Sequence, residues 1–331
     1  MRVRHFRTEH LPDVLTLWHR CMGEIFPLDA PLFEQNVLND AHFDPDGSWV
    51  VEGDGGQLLA YAHAKVCREP LGSAGMLPEQ GWIGALAFEP DEEGLQAARE
   101  LLRTALEWLK ARGRKRVNYG SDPAHFFPGV PAEQTLHQQL LQEAGFAIGE
   151  HVAVDLIREL ADYRVPEEVE ANLHRLSEEY TIRSCTPADV PALLGFLQKE
   201  FPGRWYYETV KRLEVEDTPR DILILTHGDE VVGFCHTFHR GSKRIGPSIY
   251  WRRLLGEAYG GLGPIGLAAS TRGKGLGLAL LCKGVEYVKA QRATRMAIDW
   301  TDLVDFYGKI GFRVWKRYHP ASYTNTDSKR Q

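Results

Sequence analysis

The sequence predicts an α/β protein of two tandem domains of one kind, each a mixed central sheet flanked by helices. Three observations predict it. The chain repeats itself: residues 6–14 parallel 182–190, 56–63 parallel 229–236, and 140–146 parallel 306–312, in one order and at slowly drifting offsets. Each half passes through strand-like and helix-like periodicity in the same order. In the second half an apolar strand leads into a glycine-rich turn that opens a helix.

Each repeat starts with a short strand, a turn and an amphipathic helix, over 11–22 in one copy and 188–201 in the other. A turn and a strand follow at 56–63 and 229–236. The first half continues with a long helix over 94–112, a strand over 116–119 and a helix over 132–143. The second continues with a strand over 264–269, a helix over 278–290, a strand over 296–300 and a helix ended by the Gly311-Phe312 turn. Pro166-Glu167-Glu168-Val169-Glu170 reads as a helix start, with proline near the first turn and acids inside it. The predicted domains are therefore 1–158 and 180–331, joined by a helical linker over 159–179. Residues 241–262 read as an inserted loop rich in aromatic and charged side chains, Tyr250, Trp251 and Glu257 among them.

The glycine-rich turn is Arg272-Gly273-Lys274-Gly275-Leu276-Gly277. Backbone N–H groups at a helix start lack intrahelical partners, and the positive end of the helix dipole lies there. With Arg272 and Lys274 beside them, they suit a phosphate or pyrophosphate. Other phosphate loops fit worse. Gly277 is followed by Leu278 and Ala279 where a P-loop needs Lys-Ser/Thr. The third glycine comes one residue early for a dinucleotide fingerprint.

This loop, with Arg272, Gly275 and Gly277, and the later Tyr307-x-Lys309-x-Gly311-Phe312 resemble the two signatures of the GNAT superfamily of acyl-CoA-dependent N-acyltransferases. The duplication extends the resemblance to a tandem GNAT protein over nearly the whole chain. One position departs: Trp300 stands where the family often has Asn. The resemblance implies acetyl-CoA, or another acyl-CoA, as co-substrate and direct transfer to an amine. It implies a donor site made by Leu267, Ala268, Ala269, Arg272, Gly273, Lys274, Gly275, Leu276, Gly277 and Lys309. Leu267 and Ala269 would pair with pantetheine amides, and Tyr307 would be the general acid for the leaving thiolate. Many relatives carry a glutamate base on the strand before the loop, and this strand has no ionisable side chain. Glu257 and His236 are the substitutes taken forward; His239, Asp299, Asp302 and a water chain stay open. The alternative is a non-catalytic acyl-CoA-binding or sensing protein, against which Tyr307 beside an intact loop argues.

The first half looks degenerate. Asp91-Glu92-Glu93-Gly94-Leu95-Gln96 replaces the loop and Leu141 replaces Tyr307. A like-charge pair at roughly 5 Å costs about 3 kcal/mol at an effective dielectric near 20. The acids also cap a helix well, and either role excludes phosphate. A proline-rich insertion, residues 121–131, holds Phe126 and Phe127. It reads either as a loop packing its own apolar residues or as a wall of the acceptor site. The acceptor side is expected to include Tyr250 and Trp251, with Trp205, Tyr206 and Tyr207 in the bordering helix region.

The net charge of −6 argues against a general nucleic-acid binder, and no long uncharged apolar run suggests a membrane span. The basic N-terminus lacks the apolar core of a signal peptide, so the expected location is cytoplasmic. The five cysteines, Cys21, Cys67, Cys185, Cys235 and Cys282, form no disulfide framework. Cys235-His236 with His239 resembles a metal cluster only faintly, since neighbours on a strand point to opposite faces. No metal is expected. The expected partner is a small-molecule or peptide amine, for which an acidic balance suits a cation.

Overall fold

A computed structural model gives the fold and describes residues 1–69 and 79–325. These fall into two compact units. Unit 1 contains 1–69, 79–153 and 316–325; unit 2 contains 154–315. Each is a mixed α/β unit.

Unit 1 is built from β1 (Arg2–His5), α1 (Leu11–Met22), α2 (Ala30–Phe33), β2 (Ser48–Glu52), β3 (Leu58–Val66), β4 (Gln80–Phe88), α3 (Glu92–Ala111), β5 (Arg116–Tyr119), β6 (Val130–Pro131), α4 (Thr135–Glu143) and β7 (Ala147–Ile148). The sheet runs antiparallel from β1 to β4, and β4–β5 is its parallel pair. β3 is buried along its whole length because α1 and α3 pack on it. α3 turns Ala97, Ala98, Leu101, Leu102, Ala105 and Leu109 inward, the spacing of a helical apolar stripe. The Asp91 side chain accepts from the Gly94 N–H at 2.8 Å, so Asp91 caps this helix, with Glu92 and Glu93 in its first turn.

Unit 2 holds most of β8 (Ala153–Glu159), then α5 (Glu167–Arg175), β9 (Tyr180–Ser184), α6 (Val190–Glu200), α7 (Arg204–Leu213), β10 (Ile222–His227), β11 (Glu230–His239), β12 (Tyr259–Leu267), α8 (Leu276–Ala290), β13 (Arg295–Thr301) and α9 (Val304–Gly308). Its strands lie in the order β8-β13-β12-β11-β10-β9, and β12–β13 is the parallel pair. α8 packs on β11 and β12. A Cβ on Gly284 would stand 2.5 Å from Leu262 Cδ1 and 3.3 Å from Cys235 Sγ, so glycine lets the helix approach this closely.

The boundaries differ from the sequence expectation. β14 (Arg313–His319) leads to β15 (Ala321–Thr324), and β15 lies between β5 and β7 in the sheet of unit 1. β8 pairs with β13 in unit 2. Each sheet thus takes a strand from the other half of the chain, and the linker, including α5, belongs to unit 2. β12 begins at Tyr259 rather than 264, which shortens the inserted loop. Among the described residues, no helix is long and apolar enough to cross a membrane. No group of three or more His, Cys, Asp or Glu side chains among them could hold a metal ion.

Candidate active site

The site lies where β12 and β13 stop pairing. Their register runs from Tyr259↔Arg295 to Leu262↔Ile298. Next on β12 come Gly263, at φ 132°, and Pro264, which has no N–H to continue a ladder. Next on β13 come Asp299 and then Trp300, at φ 37°. That left-handed turn is unfavourable for a residue with a Cβ. The Trp300 N–H is held there by Asp155 Oδ1 on β8, at 3.1 Å.

Three carboxylates converge at this point. A Cβ on Gly263 would lie 3.2 Å from Asp299 Oδ1. Burial, then repulsion from Asp155 and Glu208, holds the Asp299 carboxyl well above the usual carboxylate range, and Arg204 opposes them. Burial also raises Glu208, with Arg204 and Arg244 opposing. Arg204 Nη1 is 3.8 Å from Glu208 Oε1, and the Arg204 guanidinium lies 5.0 Å from the Trp300 ring centroid. Trp300 is 37% exposed, an aromatic face left at the surface beside the carboxylates.

Tyr307 sits on α9, 5% exposed, with its hydroxyl bonded to the Thr301 side chain. Burial first, then Cys235 and Asp299, raise its pKa. The phenol therefore keeps its proton at neutral pH.

Residues Arg272–Gly275 are exposed and form the turn into α8, whose N-cap is Gly275 at φ 77°. Gly273, at φ 80°, has open space where a Cβ would stand. The N–H groups of Leu276, Gly277 and Leu278 belong to the first turn and have no acceptor within the helix. A Cβ on Gly277 would lie 3.4 Å from Leu267 Cδ1 and 3.8 Å from Phe306 Cζ, so the loop, the end of β12 and α9 meet there. The Ala268 N–H is taken by Val232 O at 2.8 Å, and the Ala269 N–H by Glu200 Oε2 at 3.2 Å. Leu276 is buried, and Lys309 is exposed just past α9. The residues present fit an acyl-CoA: open glycines, first-turn N–H groups and flanking cations.

Other sequence candidates lie elsewhere. Glu257 is 94% exposed, beyond the N-terminal end of β12 and away from Gly263, with Arg240 Nη1 at 3.8 Å. His236 is 1% exposed, shares a hydrogen bond with Thr209 Oγ1 at 3.0 Å, and is kept neutral by burial. Neither is among the charged neighbours of Asp299. Tyr250 and Trp251 are buried in short turns before β12. Phe126 and Phe127 are buried in an aromatic cluster of unit 1 with Trp18, Phe26 and Phe33. These four pack inward and do not form an exposed acceptor wall. Trp205 packs with Phe201 against the Gly266 backbone. Asp155 and Glu208 were missed, because nothing in the local sequence says that β8 and α7 meet the end of β13.

The profile of the acetyltransferase (GNAT) family matches residues 11–127 and 190–312, most of the chain and both halves. The chain belongs to the GNAT family. A 117-residue stretch is 28% identical to the mycothiol acetyltransferase of Renibacterium salmoninarum, covering 33% of this chain and 32% of that relative. The fold matches the GCN5-related glucosamine N-acetyltransferase region of a fungal multi-domain GH3 β-N-acetylglucosaminidase, at TM-score 0.85 and 24% identity, over 97% of this chain and 38% of that one. A tandem GNAT protein from the clavulanic acid biosynthesis pathway matches at TM-score 0.64 and 16% identity, over 98% of each chain. The chain thus spans about a third of the length of the first two, and at these identities the structural matches establish the tandem GNAT fold.

Proposed function

We propose that unit 2 transfers an acyl group, acetyl by default, from acyl-CoA to an amine. One observation carries this reading. The open glycine turn meets the end of β12 and α9, and α9 carries the buried Tyr307 beside Asp299, where β12 and β13 stop pairing. The loop residues Arg272–Gly277 would hold the diphosphate. Asp299 is the proton acceptor in this reading, and Tyr307 the donor.

The chemistry balances as follows. A lysine-like amine has a pKa near 10.4 and arrives as an ammonium. Asp155, Glu208 and Asp299 favour that charge, and Asp299 takes one proton to free the nitrogen lone pair. The nitrogen bonds to the thioester carbonyl carbon and the C–S bond breaks. The leaving sulfur takes the Tyr307 proton, and the amide nitrogen returns its second proton to the tyrosine through solvent. A carboxylate raised toward neutrality is a better base than an ordinary one, provided it is still ionised.

Amino sugars are the acceptor class to test first. The glucosamine N-acetyltransferase region of the structural relative supports it, as does the exposed Trp300 ring beside a cluster of carboxylates. Titration calorimetry with acetyl-CoA is expected to give one site per chain. CoA release is expected to depend on glucosamine or a related amine. Absence of acetyl-CoA binding, or binding with no release for any amine, would overturn the reading.

A further inference from the structure

Residues 128–189 lie between the two segments matched by the family, yet two of their side chains reach the glycine loop. Asn172, on α5, donates from Nδ2 to the Lys274 carbonyl at 3.0 Å. Its own Oδ1 accepts from Arg175 Nη2 at 2.7 Å, which fixes the amide's orientation. A Cβ on Gly275 would stand 2.7 Å from that Nδ2, so Asn172 lies flush against the left-handed cap of α8. Tyr180, at the start of β9, accepts from Lys274 Nζ at 2.8 Å, with the ammonium 5.2 Å from its ring centroid. The tyrosine is only 8% exposed and stacks on His227 at 4.8 Å, so it is a fixed post.

Peptide planarity turns these contacts into an effect on the loop. The Lys274 carbonyl and the Gly275 N–H share one peptide plane and point in opposite directions. Drawing the carbonyl toward α5 therefore turns that N–H away from α5, toward the open side of the turn. We propose that Asn172 and Tyr180 are positioning residues of the acyl-CoA site: Asn172 aims the loop's N–H groups, and Tyr180 holds the Lys274 ammonium, so that both meet the donor's diphosphate. This rests on the acyl-CoA reading above. It makes the segment between the matched regions a determinant of donor affinity.

The test compares binding of CoA with binding of pantetheine, which has no diphosphate, in the full chain by calorimetry. Asn172→Ala is expected to weaken CoA about tenfold and Tyr180→Phe about threefold, the worth of one hydrogen bond each. Asn172→Asp, which cannot donate and adds a negative charge, is expected to lose at least as much as Asn172→Ala. Pantetheine affinity is expected to stay at the wild-type value in all three. Equal losses for both ligands would mean that the contacts only hold the fold, and unchanged CoA affinity would mean that they do nothing for the loop; either overturns the proposal. Tyr180→Phe keeps the ring packing and so remains informative if Asn172→Ala does not fold. Wild-type protein that binds no CoA overturns the acyl-CoA reading itself. Wild-type binding matched by every variant overturns only the positioning role.

Discussion

In unit 1, β4 and β5 pair from Gln80↔Arg116 to Ile83↔Tyr119; in unit 2, β12 and β13 pair from Tyr259↔Arg295 to Leu262↔Ile298. Both ladders stop at a glycine, Gly84 or Gly263, and both outgoing strands then carry a non-glycine residue at positive φ, Ser121 or Trp300. The register makes Gly120 the counterpart of Asp299. It makes Pro320, just before β15, the counterpart of Asp155 on β8. Aligning Phe26-Pro27 with Phe201-Pro202 makes Phe33 the counterpart of Glu208. All three carboxylates of unit 2 are thus replaced by residues without charge in unit 1.

Unit 1 fills the same place from within. Phe33, Phe126 and Phe127 pack there with Trp18 and Tyr61. His137 Nε2 donates to the Leu86 carbonyl at 2.9 Å, at the stretch of β4 that corresponds to Ile265 of β12. Its buried charge, Lys65, is neutralised internally by Asp40 and Asp122, each at 2.7 Å. Burial alone would raise Asp122, and Lys65 reverses that; Asp299 has carboxylates for neighbours, and its shift goes the other way. One unit sets its buried carboxylates around a lysine, and the other sets carboxylates beside one another.

Four experiments break or sharpen this contrast. Asp299→Asn is expected to lower turnover about 100-fold or more, the range of general base catalysis, with acetyl-CoA affinity unchanged. Wild-type turnover would remove the base from unit 2. Because the Asp299 pKa is raised in the folded state, its contribution to stability is complete at low pH and lost as pH rises through that pKa. Asp299→Asn is therefore also expected to raise the melting midpoint at neutral pH by about 2 °C, and at acid pH to change it little. Gly277→Glu has room for its Cβ but puts a carboxylate in the loop. It is expected to weaken CoA about 100-fold, whereas Gln96→Glu, at the exposed counterpart of Gly277 in unit 1, should change CoA binding only if unit 1 holds a second site.

Tyr307→Phe is expected to lower turnover about tenfold at constant acetyl-CoA affinity, less than full general acid catalysis because water can supply a proton. Unchanged turnover, with chemistry rate-limiting, would leave Tyr307 a core residue like Leu141 of unit 1. The smallest effect concerns pH. Activity is expected to fall at low pH as Asp299 gains its proton, and Glu208→Gln removes a negative neighbour, favours the ionised form and moves that limb to lower pH. A limb that stays in place or moves up would disconnect Glu208 from Asp299.

The parts of the candidate site that are contiguous in sequence were legible there. A phosphate turn works through successive N–H groups, so Arg272–Gly277 announce themselves, and Tyr307 sits in a short signature of its own. The duplication was legible because both copies keep the same apolar rhythm. Asp155 and Glu208 were not, since their role depends on which strand lies beside β13 and where α7 ends up. The β15 residues Ala321–Thr324 alternate like any strand and do not name their partners. Phe126 and Phe127 show a related gap: a stiff aromatic loop must cover something, and only the fold says that it covers its own domain.

The exchange of β8 and β15 bears on how this chain is made. Unit 1 lacks the strand between β5 and β7 until a segment about 200 residues beyond β5 has been synthesised, so its sheet stays open while unit 2 leaves the ribosome. A gene divided at the linker would give an N-terminal product without β15 and a C-terminal product without β8. Each fragment would expose an unpaired strand edge, which invites aggregation. Co-expression of the two fragments is expected to restore what neither achieves alone, so the two halves of this duplicated gene are bound to be inherited together.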